Sequence, residues 1–141
     1  MEQEDKELLL RDLCARLSYG VKCRYQHIQY VENGKIIDIN MFGIVNVDGH
    51  IKDICDIKPY LIPLSSMTEE QYNSLHELGI LDNCSHSYEY VNPHIHGVSF
   101  IFKEFKTYSL ELIEWLNKNH FDYRGLIERG LAIDCTNLNV Y

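Results

Sequence analysis

The chain has 141 residues, is 45% hydrophobic and carries a formal net charge of −8 at pH 7. This length suits one hydrophobic core, and no apolar run approaches the about 18 residues that a membrane-spanning helix needs. The acidic balance disfavours direct binding to nucleic acid or to an anionic membrane surface, because both need lysine and arginine against phosphate. The acidic amino terminus lacks the basic and apolar regions of a secretory signal, which predicts a cytoplasmic location.

Leucines at helical spacing predict that the chain begins with a helix over residues 3–17. Glu4 and Asp5 favour the positive amino-terminal end of this helix, and Gly20 is a stop signal after it. Apolar and polar residues then alternate over residues 21–27. This period of two predicts a strand that buries one face.

Two hairpin turns are expected after this strand. Asn33-Gly34 and Asp48-Gly49 are residue pairs typical of type I′ turns, because both central positions need positive φ. Residues 37–41 and 45–47 are predicted to be strands of the same antiparallel meander. A bulge or a short turn is expected between them at Phe42-Gly43.

Prolines and capping residues divide the rest of the chain. Pro59 and Pro63 are expected to interrupt the sheet, because proline cannot donate to the ladder of a central strand. Two overlapping capping boxes, Ser66 with Glu69 and Thr68 with Gln71, predict the start of a helix. The remaining predicted elements are strands over 87–91 and 95–102, a helix over 110–119, a short helix over 123–129 capped by Asp122, and an edge strand over 131–134.

Blocks of strands between helices favour the α+β class over a strict alternation of strands and helices. The predicted architecture is an antiparallel β meander or sheet packed by three to four helices. The chain contains no internal repeat and no linker long enough to divide it. Residues 1–141 are therefore expected to form a single domain.

The motif His94-Ile95-His96 is the sharpest candidate for a metal site. In a strand the two imidazoles lie on one face, and neutral imidazoles are common ligands of zinc and iron. His86 is the third candidate ligand, with Glu89 or Cys84 as substitutes. The alternative interpretation is a histidine pair with a structural role beside a proline turn.

Other constellations have simpler explanations. Cys84 lies two residues from His86, but catalytic Cys–His pairs are usually assembled from distant parts of a chain. Three aspartates (Asp48, Asp53 and Asp56) resemble the carboxylate sets of magnesium nucleases, yet a turn and a strand account for them. Residues 59–102 contain no lysine or arginine, so this span is expected either to hold a cation, to face a basic partner, or to be an accident of composition.

Three segments of the chain are distinctive as strings: LLLRDLCARLSYGV at 8–21, IKPYLIPLSSMTEE at 57–70 and FDYRGLIERGLA at 121–132. Together they resemble a family of short uncharacterised proteins of gut anaerobic bacteria, their phages and mobile elements. The resemblance carries no catalytic residue. It implies an accessory role in a bacterium or a phage, with counter-defence among the candidates.

Ten tyrosines, the acidic charge and the missing catalytic motifs favour a non-enzymatic binding or regulatory protein. Tyr88 and Tyr90 share one predicted strand face and are the candidate binding residues for a host protein or a small ligand. No cofactor is required by this hypothesis. The alternatives are a metal-dependent enzyme that uses zinc or another divalent metal at His94 and His96, and an acidic DNA mimic.

Overall fold

The structure is a computed structural model that describes residues 1–77 and 110–141. The described residues form the α+β fold that the sequence predicts, with three α-helices and seven mostly antiparallel strands. The helices are α1 (Gln3–Arg16), α2 (Glu69–Glu77) and α3 (Leu110–Lys118). The strands are β1 (Lys22–Gln26), β2 (Val31–Ile39), β3 (Ile44–Val47), β4 (His50–Asp53), β5 (Ile57–Pro63), β6 (Phe121–Asp122) and β7 (Ile133–Asp134).

The chain divides into two compact units. The first unit comprises Met1–Leu61 and Arg124–Tyr141, and the second comprises Ile62–Tyr123. The expectation of one domain over the whole chain stays a prediction. In the part of the chain that the structure describes, no helix has the length and hydropathy needed to cross a membrane.

The sheet of the first unit runs in the order β4, β3, β2, β1, β5, β7, and its first four pairings are antiparallel. The alternation predicted around β1 is confirmed, because Cys23 and Tyr25 are buried while their neighbours in the strand are exposed. Leu9 and Leu13 of α1 are fully buried in the same core cluster. The face of the sheet that carries Cys23 and Tyr25 is therefore called the inner face, and the opposite one the outer face.

The predicted turn at Asn33-Gly34 is wrong, because both residues lie inside β2. The chain reverses earlier, at residues 27–30, where the His27 amide donates to the Tyr30 carbonyl at 2.7 Å. Gly34 pairs with Cys23 of β1. A Cβ atom at Gly34 would lie 2.6 Å from Val47 Cγ1 and 2.8 Å from Asp48 Oδ2. The glycine therefore serves close packing between strands rather than a turn.

The second predicted hairpin is confirmed. Asp48 and Gly49 have φ of 47° and 91°, and their flanking residues Val47 and His50 pair directly. The short turn expected at Phe42-Gly43 is present too, since Gly43 has a φ of 78° and donates to Asn40 at 3.0 Å. The meander of β1 to β4 thus has a four-residue first connection and a two-residue last one.

The expectation that Pro59 and Pro63 interrupt the sheet is wrong, because both belong to β5. Pro59 lies opposite Cys23 of β1, while β7 pairs with β5 only from Tyr60 onward. Pro63 is the last residue of the strand. Each proline thus lies at a place where the ladder on one side is beginning or ending, so a missing N–H is tolerated.

In the second unit, the capping box of Thr68 and Gln71 is formed in both directions. The Thr68 amide donates to Gln71 Oε1 at 2.9 Å, and the Gln71 amide donates to Thr68 Oγ1 at 3.2 Å. The helix α2 starts between these two residues, as this box predicts. The core of this unit contains Leu64, Met67, Tyr72, Leu75, Leu112, Leu116 and Phe121.

The helix predicted over 110–119 is confirmed by α3, whereas the short helix predicted over 123–129 is wrong. Gly125 has a φ of 74°, a left-handed conformation that a right-handed helix cannot include. Turns follow over residues 126–130, and Asp122 belongs to β6 rather than to a helix cap. The predicted edge strand is present as β7, which runs parallel to β5.

Buried charges in the first unit are paired. Asp12 and Arg16 of α1 are both 0% exposed, and the Asp12 carboxylate accepts from Arg16 Nε at 2.7 Å and from Nη2 at 3.1 Å. Arg124 Nε lies 3.2 Å from Asp12 Oδ1, the oxygen that also accepts from Arg16 Nη2. One buried carboxylate thus lies between two guanidinium groups, which offsets the cost of removing these charges from water.

Candidate functional site

A cavity of about 380 Å³ lies in the first unit. Its lining includes Lys22, Asn33, Lys35, Asp48 and Tyr60, together with Asn139 and Val140 of the carboxyl-terminal tail. This volume falls within the range of small-molecule sites. The cavity is called the lysine cavity below.

Strand register brings the two lysines together. Lys22 of β1 and Lys35 of β2 are direct partners in the antiparallel pairing, so their side chains leave the sheet on the same face. Like charges directly opposite each other destabilise a sheet. The pair therefore has a local cost that an anion between the two ammonium groups would relieve.

The two lysines differ in their surroundings. Lys22 Nζ donates to the Val140 carbonyl at 2.5 Å and lies 5.6 Å from the centroid of the Tyr141 ring. Lys35 is exposed, and none of the residues that the structure describes forms an ion pair or a hydrogen bond with its ammonium group. Of the two ammonium groups, only that of Lys22 is therefore engaged by described residues.

A hydrogen bond orients the amide of Asn33 in the cavity. The Tyr60 hydroxyl, on a side chain that is 6% exposed, donates to Asn33 Oδ1 at 2.6 Å. Since the amide oxygen accepts this bond, the amide nitrogen remains a donor. The cavity thus offers an uncharged donor beside its two cations.

Asp48 introduces a carboxylate into this cationic lining. Asp48 Oδ2 accepts from the Lys35 amide at 2.9 Å, and the Asp48 amide donates to the Lys35 carbonyl at 3.1 Å. The carboxylate is therefore held at the wall of the cavity by the hairpin that it starts. A carboxylate has further lone pairs, so Asp48 can also accept from a hydroxyl group of a ligand.

The carboxyl-terminal tail closes one side of the cavity. The Tyr141 hydroxyl accepts from the Lys22 amide at 3.0 Å and donates to the Tyr60 carbonyl at 3.0 Å. Burial of this hydroxyl raises the pKa of Tyr141, so the phenol stays protonated and keeps its donor. One hydroxyl group thus ties the tail to both β1 and β5.

A second polar cluster lies at the end of the inner face. The Tyr25 hydroxyl donates to Glu32 Oε2 at 2.5 Å, and this bond is the main reason that the pKa of Tyr25 is raised to about 12. Lys52 Nζ lies 5.2 Å from the Tyr25 ring and donates to the Gln26 carbonyl at 3.1 Å. His27 completes the cluster by stacking on a neighbouring tyrosine, with 4.5 Å between the ring centroids. The tyrosine, the glutamate and the lysine of this cluster thus have hydrogen-bond partners within the fold, whereas the buried His27 Nδ1 has none among the described residues.

The predicted binding residues Tyr88 and Tyr90 and the predicted metal ligands His86, His94 and His96 lie outside the described residues, so those hypotheses stay predictions. Cys84 and Glu89 lie outside them as well. Within residues 1–77 and 110–141, no group of three or more histidine, cysteine and acidic side chains could hold a metal ion.

The aspartates of the first unit have structural positions. Asp48 starts the β3–β4 turn, and Asp53 Oδ1 accepts from the Cys55 amide at 2.9 Å. This bond lowers the pKa of Asp53, as expected for a residue that caps a helical turn. The magnesium nuclease interpretation therefore has no support from their arrangement.

Sequence reasoning missed the lysine cavity. The alternation in β1 already placed Lys22 and Arg24 on the solvent side, and this was the signal that pointed to the outer face. The contributions of Asn33 and Lys35 were missed, because the predicted turn at Asn33-Gly34 did not include them in the strand that pairs with β1. The contribution of the tail could not be found from local patterns.

Comparison with models of known protein families, with curated proteins and with solved structures finds no match to this chain. The resemblance to a family of gut bacterial and phage proteins therefore stays a prediction.

Proposed function

We propose that the protein binds a small anionic ligand in the lysine cavity and acts as a binding or regulatory protein rather than as an enzyme. The observation that carries this proposal is the direct pairing of Lys22 with Lys35 beside a cavity of about 380 Å³. Charged hydrogen bonds from ammonium groups to phosphate or carboxylate are short and strong. An anion would therefore gain two such bonds and remove the repulsion between the lysines.

The other polar groups narrow the class of ligand. The Asn33 amide supplies an uncharged donor, whereas the Asp48 carboxylate repels anions and accepts hydroxyl groups. A ligand with one anionic group and nearby hydroxyl groups satisfies both requirements. Sugar phosphates, nucleotides and hydroxy acids share this chemistry.

The wider biological role is part of the same proposal. A small-ligand binder fits an accessory protein of a bacterium or a phage with a cytoplasmic location, because phosphorylated metabolites and nucleotides are cytoplasmic. Tyr88 and Tyr90 remain candidates for contact with a host protein, and His86, His94 and His96 remain candidates for a divalent metal site.

Isothermal titration calorimetry with ribose 5-phosphate tests the proposal, with ribose and citrate as comparison ligands. Ribose 5-phosphate should bind, ribose should not, and citrate distinguishes a preference for phosphate from a preference for carboxylate. Lys35→Ala should weaken ribose 5-phosphate about tenfold, the cost of one hydrogen bond to a charged group.

The matched control is Lys118→Ala, since Lys118 is exposed on α3 and belongs to the second unit. This variant should bind like the unchanged protein. Absence of heat and of a thermal shift with both anions would overturn the proposal, and so would equal affinity in the Lys35→Ala variant.

A further inference from the structure

The lysine pair is one half of a larger cationic surface. Arg24 follows Lys22 by two residues on β1, so both side chains leave the sheet on the outer face. Arg24 pairs with Lys58 of β5, just as Lys22 pairs with Lys35 of β2. The outer face thus carries two cross-strand pairs of cations, which we call the cationic face: Lys22, Arg24, Lys35 and Lys58.

This surface is unusual for a chain with a net charge of −8. All four cations are exposed, and among the described residues none of them forms an ion pair. Asn33, which pairs with Arg24, adds an amide to the same face. The acidic residue closest in sequence, Glu32, lies opposite Tyr25 and so belongs to the inner face.

The register also gives the separation of the two pairs. Neighbouring strands lie about 4.8 Å apart and rise about 3.3 Å per residue, so the centres of the two pairs are roughly 8 Å apart. Directly adjacent phosphates, as in a diphosphate, match this backbone separation less well. Two phosphates on either side of one nucleoside have a separation of the right size.

We infer that the ligand carries two phosphate groups separated by a nucleoside, as in a 5′-phosphorylated dinucleotide. This inference rests on the proposed function, because the first phosphate would occupy the lysine cavity between Lys22 and Lys35. The second phosphate would lie between Arg24 and Lys58. The guanidinium of Arg24 suits this position, since its planar fork binds phosphate through two parallel hydrogen bonds.

The neighbouring groups agree with a nucleotide. The Asp48 carboxylate, at the wall of the lysine cavity, can accept from a ribose hydroxyl. Asn33 lies opposite Arg24 in the register, and its amide nitrogen can donate to a phosphate or a base. Both groups line the lysine cavity.

The test compares the 5′-phosphorylated dinucleotide pApA with AMP by isothermal titration calorimetry at fixed ionic strength. We expect pApA to bind at least about tenfold more tightly than AMP, which is the gain from one further charged contact. Arg24→Gln should reduce the ratio of the two dissociation constants toward one. Lys35→Ala should weaken both ligands.

The matched control is Arg11→Gln, an exposed arginine on α1, which should leave the ratio unchanged. Equal affinity for pApA and AMP would overturn the inference while the proposed function stands. Failure of AMP, pApA and ribose 5-phosphate to bind at all would overturn both. Tighter binding of a twelve-nucleotide single strand than of pApA, with a steep salt dependence, would also overturn it and indicate a longer nucleic-acid ligand.

Discussion

The two faces of the sheet in the first unit differ in whether their charged groups have partners. On the core side, the Asp12 carboxylate meets Arg16 at 2.7 Å and the Glu32 carboxylate accepts from Tyr25 at 2.5 Å. On the outer face, Lys22 and Lys35 lie opposite each other, and neither ammonium group forms an ion pair with a described residue. Folding accounts for polar groups that bond to one another. The repulsion between the two lysines is a cost that the fold does not relieve and that the proposed anionic ligand would relieve.

The contrast separates two kinds of polar cluster that are equally rich in titratable groups. The inner cluster of tyrosine, glutamate, histidine and lysine resembles an active site in composition, but its tyrosine and glutamate bond to each other and its lysine bonds to a backbone carbonyl. The lysine cavity has as many such groups, and in addition it has volume, a lysine without an ion pair among the described residues and an oriented amide. Availability, more than composition, distinguishes a binding site from a structural network.

The largest effect is expected from a substitution in the buried ion-pair cluster around Asp12. Asp12→Asn removes the charge between two guanidinium groups and leaves the fully buried Arg16 without its carboxylate partner. The free energy of unfolding should fall by about 3–5 kcal/mol, as for other buried pairs that lose one member. Urea denaturation followed by circular dichroism measures this loss.

Asp56→Asn is the matched control for Asp12→Asn, because Asp56 is an exposed aspartate of the same unit. Its effect should stay within about 0.5 kcal/mol. A loss below 1 kcal/mol for Asp12→Asn would show that the buried ion pairs contribute little to the free energy of unfolding. The paired charges of the core would then not differ in stability from the unpaired charges of the outer face.

A smaller effect is expected from Gly34→Ala, which tests the strand register that pairs the lysines. The added Cβ would lie 2.6 Å from Val47 Cγ1, on the core side of β2. Overpacking of this kind costs about 1–3 kcal/mol, so the melting temperature should fall. Val31→Ala, at an exposed outer-face position of the same strand, should cost less.

If Gly34→Ala proved neutral or stabilising, Gly34 would not be in close contact with β3. The pairing of β1 with β2 would then need revision, and with it the position of Lys35.

The smallest effect is expected from a substitution in the lysine pair of the outer face. Lys35→Met keeps the aliphatic packing of the side chain but removes its charge, so the ligand-free protein should keep its stability or gain about 0.2–1 kcal/mol. The gain should shrink as salt is added, since the repulsion between exposed charges is screened. Thermal unfolding at 20 mM and 500 mM salt, with conditions otherwise identical, measures it.

Lys118→Met in the second unit serves as the control for Lys35→Met and should show no salt-dependent gain. A loss of more than 1 kcal/mol in Lys35→Met would indicate that Lys35 supports the fold. In that case repulsion between Lys22 and Lys35 would no longer favour an anionic ligand, although the cavity itself would remain.

Most of the helices and strands could be predicted because their signals are local. Leucine spacing in α1, alternation in β1, the Asp48-Gly49 turn and the Thr68–Gln71 capping box each depend on residues within one or two turns of chain. The errors share a cause. Tertiary packing overrides the local signals at Asn33-Gly34, at Pro59 and over residues 123–129. Gly34 is in close contact with the neighbouring strand, and the pairing of β5 with β7 begins just after Pro59.

Only a part of the candidate site was open to prediction. The alternation of β1 assigns Lys22 and Arg24 to the outer face without any structure. Lys35 joins them through a register that residues 27–30 set by closing the hairpin early. A shift of one residue in that register would move Lys35 to the core side, so no local pattern could place it.

The sequence by itself determined the α+β class, the first helix, the antiparallel meander and the capped start of α2, because each follows from neighbouring residues. Only the tertiary structure decided that Asn33 meets Tyr60 across 27 residues of chain and that Lys22 meets Tyr141 across 119. Contacts between residues so far apart depend on strand order and register, which the whole core selects at once. The lysine cavity is made of such contacts, and for this reason it emerges only when the chain is folded.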